Sequence, residues 1–139
     1  SQGRAQESQS AGPAPEFLDG VGFSRRLAQE LSRAGRYGRS LFVVVLEPSA
    51  PLPASATPPC AAALRGVVRS TDLLGDLGHG RFAACLVDTN PQGAEGACVR
   101  LAQTFERVTG RAARAGFAEA CDRLDAEALI LEAAARAAR

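Results

Sequence analysis

Arg69 and Asp72 stand three residues apart in the stretch RSTDLLGDLGHGRF, residues 69–82, and pair a guanidinium with a carboxylate just ahead of a glycine-rich turn. Arginine presents a planar fork suited to two-point recognition of phosphates and guanine edges. An Arg-x-x-Asp tetrad is common by chance, and an exposed pair of this kind contributes little to stability, so the spacing alone does not make a site. His79, the chain's single histidine, lies within the turn, where a surface position accounts for it more simply than a base or a metal ligand. Cys60, Cys85, Cys98 and Cys121 show no Cys-x-x-Cys spacing and lie in apolar or alanine-rich surroundings. They read as buried, reduced thiols rather than disulfides or zinc ligands. Arg111 and Arg114 are expected to face solvent.

The chain contains no lysine, so all 16 basic residues are arginine. The abundance of alanine, glycine and arginine points to a GC-rich genome as the cause. A net charge of +1 gives no global reason to expect nucleic acid or an anionic membrane as partner. No apolar run is long enough to span a bilayer, and the first residues are too polar for a secretory signal. A length of 139 residues fits one domain with a sizeable core. Residues 1–16, SQGRAQESQSAGPAPE, lack apolar periodicity and read as a disordered linker, cut from a longer protein, ahead of a domain over 17–139.

The elements that must position these groups follow from periodicity. Phe23, Leu27 and Leu31 repeat at helical spacing, with Ser24 as a candidate cap and Gly35–Gly38 as the stop. Ser40–Glu47, SLFVVVLE, is a continuous β-branched and apolar run expected to be a strand buried on both faces. The segment PSAPLPASATPP is a loop. Thr57-Pro58 then opens a helix through Arg69 that buries Cys60, Leu64, Val67 and Val68; Gly66 weakens it mildly. DLLGDLGHGRFAACLVD forms a hairpin. Asp88–Pro91 starts a third helix with Ala94, Cys98, Leu101, Phe105 and Val108 on its core face. RAARAGFAEA is a weakly signalled strand, and Asp122 could cap a last helix from Asp125 to about Ala138 with Leu129, Ile130 and Ala133 inward. The order α-β-α-β-β-α-β-α describes an α/β sandwich with one mixed central sheet and an antiparallel hairpin.

That order, together with the strings RRLAQELSRAGRYGRSLFVVVLE, RSTDLLGDLGHGRFAACLVDT and DRLDAEALILEAAARAAR, resembles the GGDEF (diguanylate cyclase) domain family over roughly Phe17 to the C-terminus. The resemblance places the family's Gly-Gly-Asp/Glu-Glu-Phe signature on Gly78, His79, Gly80, Arg81 and Phe82, of which the first glycine and the phenylalanine match. Gly80 and Arg81 stand where active members carry acidic residues. Glu47-Pro48-Ser49 stands where they carry the Asp-x-Asp metal motif, and a short Pro-rich loop replaces the guanine-binding segment for GTP. Asp76 falls where the family usually has arginine. Joining two GTP molecules needs hard carboxylate ligands for Mg²⁺, so the expectation is a degenerate domain with no catalytic residues, no metal and no enzymatic activity.

The family often carries a second, inhibitory site written Arg-x-x-Asp, five residues ahead of the signature. Arg69 and Asp72 meet that spacing, and a further arginine of the site falls on Arg100. In the family this site binds cyclic di-GMP. An arginine can donate to guanine O6 and N7 and stack on the purine, and a carboxylate can accept from guanine N1–H and the exocyclic amine. The resemblance therefore implies a cyclic di-GMP receptor of the bacterial cytoplasm, using Arg69, Asp72 and Arg100 to relay the signal to an adjoining domain or partner protein. A homodimer, even a ligand-bridged one, fits this reading; nucleic acid and membrane contact are not expected. Two alternatives from other classes are a structural dimerisation or docking module without nucleotide binding, and a residual cyclase or GTP-binding regulator using Glu47. A class III nucleotidyl cyclase, related in fold, is weaker for want of the same carboxylates.

Overall fold

A computed structural model describes residues 17–121 and 125–138. Its strands are β1 (Phe17–Asp19), β2 (Leu41–Pro48), β3 (Leu73–Gly78), β4 (Arg81–Val87) and β5 (Ala113–Glu119). Its helices are α1 (Gly20–Tyr37), α2 (Thr57–Arg65), α3 (Pro91–Thr109) and α4 (Ala126–Ala137), with a short 3-10 turn at Ala54–Ala56. The sheet order is β1-β3-β4-β2-β5. Among the described residues only β1–β3 is parallel; β3–β4, β4–β2 and β2–β5 run antiparallel. The α/β sandwich with a mixed sheet and an antiparallel hairpin is therefore present, with one strand more than the sequence pattern announces.

Strand β2 lies between β4 and β5, and its period of two divides the core. Phe42, Val44 and Leu46 join Leu64, Leu101 and Phe105 of α2 and α3 on one face. Leu41, Val43 and Val45 join Phe23, Leu27, Leu129 and Ala133 of α1 and α4 on the other. The doubly buried strand expected from its unbroken apolar run is thus observed.

Asn90 caps α3, its side chain accepting from Gly93 N at 2.8 Å with Pro91 at the first helical position. Other boundaries differ from expectation. Helix α1 is capped not by Ser24 but by Asp19, which accepts from Gly22 N at 2.7 Å. Its start is fixed by β1, whose Phe17, Leu18 and Asp19 pair with Leu74, Gly75 and Asp76. Helix α2 has Thr57 inside its first turn and stops at Arg65 rather than Arg69, with Gly66 as its C-cap. Val67 and Val68, half-buried, pack from the following turn. Val108 is exposed at 38%, because the core stripe of α3 ends with Phe105. Ile130 is partly buried. Asp125 caps α4 by accepting from Ala128 N at 2.8 Å; Asp122 and the segment 1–16 lie outside the described residues.

Cys60, Cys85 and Cys98 are buried free thiols, whereas Cys121, just past the end of β5, is exposed. Burial pushes the Cys60 and Cys98 thiols up to about 11 and Cys85 higher still, which suppresses the reactive thiolate. Ellman's reagent at mildly alkaline pH should therefore label Cys121 rapidly in the native protein. The other three thiols should react only in denaturant. Rapid native labelling of two or more thiols would contradict this packing.

Candidate ligand-binding site

Strands β3 and β4 are joined by the two-residue turn His79-Gly80. Both residues have positive φ, 59° and 86°, which suits the right-handed twist of a hairpin. Gly78 at φ 95° enters the turn, and the Asp76 carboxylate holds it by accepting from Gly78 N at 2.8 Å. Gly80 is required twice over, because a Cβ there would lie 2.6 Å from Leu52 Cβ. The Pro-rich loop closes onto the turn, with Leu52 N donating to His79 O at 3.2 Å and Arg111 donating to Pro51 O. Phe82 is a core residue, 5.9 Å from the Phe17 ring and 6.4 Å from that of Phe105.

The two charged positions at this end of the sheet satisfy each other. Leu46 pairs with Phe82, so Glu47 and Arg81 follow side by side on adjacent strands. Arg81 Nε donates to Glu47 Oε1 at 3.1 Å and Oε2 at 3.0 Å, and Nη2 lies 2.9 Å from Oε2. The Glu47 carboxylate is thus neutralised from within the fold.

The Arg69–Asp72 tetrad forms the turn between α2 and β3. Asp72 N donates to Arg69 O at 3.0 Å, and Asp72 Oδ2 accepts from Arg69 N at 2.9 Å. The same carboxylate takes Arg69 Nε and Nη2, each at 3.3 Å, and Val87 N at 3.3 Å. Arg69 Nη2 also donates to Val87 O. Asp72 is turned inward, its side chain 2% exposed, whereas that of Arg69 is 54% exposed. Just past the end of β4, Asp88 adopts φ 55° and is gripped by Arg39 through two hydrogen bonds. That hydrogen bonding, with a smaller contribution from the charge of Arg69, holds the Asp88 carboxyl below the usual range.

Arg100 lies on the exposed side of α3, with Nη1 3.2 Å from where a Cβ on Gly96 would sit, so it folds back along the helix. Arg69, Asp72 and Arg100 line one cleft of about 260 Å³, floored by Leu86 and Ala97 and reaching Gly93 near the α3 N-terminus. The three residues singled out in the sequence are therefore brought together, 31 positions apart at the widest (100 − 69). Three features escape the sequence: the Glu47–Arg81 pair at the opposite end of β2 and β4, the Arg39–Asp88 clamp, and Arg65, whose Nη2 reaches Arg69 O at 2.8 Å and Asp72 O at 3.0 Å. The first follows once the β2–β4 register is known. The second carries no short-range signal, because its partners are 49 residues apart.

No family model matches the sequence, and no curated protein does. Solved structures do resemble it. A DGC protein from Thermotoga maritima has a TM-score of 0.72 at 16% identity, over 88% of this chain and 96% of that one. The GGDEF domain of DgcB from Caulobacter crescentus, in complex with c-di-GMP, has 0.74 at 12% identity, over 87% and 83%. Diguanylate cyclase SiaD in complex with its activator SiaC, from Pseudomonas aeruginosa, has 0.76 at 17% identity, over 99% and 62%. The chain has the fold of the GGDEF domains.

Proposed function

We propose that this domain is a catalytically silent GGDEF domain that binds cyclic di-GMP in the Arg69–Arg100 cleft and passes the signal to an adjoining domain or partner protein. The observation that carries the reading is the convergence of Arg69, Asp72 and Arg100 on one cleft. Arg100 can bind a phosphate or the O6/N7 edge of guanine, and Arg69, with Nε and Nη2 engaged by Asp72 and Val87 O, offers Nη1 and its flat face for stacking on the base. Asp72, with its oxygens already occupied, aims Arg69 rather than reading the base itself. The c-di-GMP complex of the Caulobacter domain and the SiaD–SiaC assembly make both a ligand and a protein partner reasonable on this fold.

The donor set supports the silent half of the reading. A two-metal reaction needs several free carboxylates around the triphosphate. Here Glu47 is bonded to Arg81, the third signature position is Gly80, and Leu52 covers the turn. These residues do not fit Mg²⁺, and no catalytic step is assigned to them.

Titration calorimetry with cyclic di-GMP tests the reading. The wild type should bind, and Arg69→Ala or Arg100→Ala should each weaken binding by about tenfold or more, the scale of one lost charge-assisted hydrogen bond. An absence of heat with wild type would overturn the receptor reading, as would unchanged affinity in both variants. Incubation with GTP and Mg²⁺ or Mn²⁺ should give no cyclic di-GMP, and product would overturn the silent half of the proposal.

A further inference from the structure

We infer that Arg65 is a positioning residue for the cleft, a brace that holds the Arg69–Asp72 turn in its receiving shape from the end of α2. Arg65 is the last residue of that helix and is half-buried. Its Nη2 donates to the carbonyl of Arg69 at 2.8 Å and to that of Asp72 at 3.0 Å. The two acceptors are the first and last residues of the tetrad, so one guanidinium nitrogen spans the turn. Inside that span, Asp72 N donates to Arg69 O and Asp72 Oδ2 accepts from Arg69 N. The turn is closed by its own hydrogen bonds, and Arg65 fixes the closed turn to the helix.

The consequence falls on the exposed side chain. Arg69 reaches the cleft from a backbone whose position depends on the turn, and its guanidinium is steadied by Asp72 and by Val87 O. When the turn loosens, Asp72 and Arg69 shift together. Ligand affinity then falls, although Arg65 does not line the cleft beside Arg100. A competing, purely structural role exists for Arg65: a cation in the last helical turn interacts favourably with the helix dipole. Lysine would fill that role equally well. It would not reproduce the brace, because its ammonium lies one bond nearer the backbone than Nη2 and falls short of the two carbonyls.

The ligand half of this inference rests on the receptor reading; the brace itself does not. The experiment compares wild type, Arg65→Ala and Arg65→Lys by cyclic di-GMP calorimetry, by thermal melting, and by amide hydrogen exchange at Asp72 without ligand. Arg65→Ala and Arg65→Lys should both weaken binding by about tenfold and speed Asp72 exchange to a similar degree, as loss of a hydrogen bond to a charged group predicts. Wild-type affinity and exchange in Arg65→Lys would assign Arg65 to the helix dipole and overturn the brace. If wild type binds no cyclic di-GMP, the receptor reading fails on its own, and Asp72 exchange still decides: unchanged protection in the variants overturns the brace. If Arg65→Ala does not fold, Arg65→Lys carries the same comparison.

Discussion

Gly116→Val should destabilise the domain by about 3 kcal/mol or more, at the upper end of the cost of overpacking a core. Gly116 sits in the middle of β5, where α4 lies directly on the strand. A Cβ there would stand 2.3 Å from Ala137 N, 2.6 Å from Arg136 C and 2.8 Å from Ala133 O. These are backbone atoms of a helix, so no rotamer change relieves the clash; α4 must lift or the strand must shift. Lifting α4 uncovers Leu129 and Ala133, which belong to the cluster with Val43 and Val45, and so also loses apolar burial. For a chain of this size the loss corresponds to a fall in Tm of roughly 10 °C. Thermal unfolding followed by circular dichroism measures it, and a variant melting within a few degrees of wild type would show that α4 does not seat on Gly116. The matching change at Gly110, which has φ 72° but open space around a Cβ, should act through backbone conformation alone and cost less.

The close seat at Gly116 shows why parts of the fold were readable and others were not. Strand β2 announces itself because all its neighbours are covered, so its apolar run needs no partner to be recognised. Helix α3 announces its start through Asn90-Pro91, a cap whose chemistry is local. Strand β5 reads weakly, since alanine and glycine are poor strand formers; those small residues are there because helices press on it from both faces. Strand β1 was illegible. Three residues carry no period, and β1 exists because β3 offers a parallel edge more than fifty residues later. The end of α2 was misplaced by the apolar pair Val67-Val68, which continues the helical stripe although the chain has already turned at Gly66. At the candidate site, the types and spacing of Arg69, Asp72 and Arg100 were visible in the sequence. The inward turn of Asp72 was not, because it depends on Val87 of β4 arriving beside it.

That inward turn makes Asp72→Ala the substitution that should move stability and binding together. The carboxylate accepts from Arg69 N and Val87 N as well as from the Arg69 guanidinium. Removing it strands two backbone donors at a position that is 4% exposed and leaves the Arg69 cation without its carboxylate. Since Arg69 itself is half-exposed, the ion-pair share is screened by water. The backbone share is not, and the total should be about 2–3 kcal/mol. Arg69, no longer held at Nε, should lose its aim, and cyclic di-GMP binding should fall below detection at concentrations that saturate wild type. Arg100→Ala provides the contrast. Arg100 is exposed on α3 and the described structure gives it no ion pair, so its removal should leave Tm within a degree or two, as for an ordinary surface position, while weakening binding. Measured side by side, the two variants separate a residue that builds the cleft from one that faces the ligand. If Asp72→Ala melts like wild type and binds normally, then the carboxylate anchors neither the turn nor Arg69, and this cleft is not the receptor site.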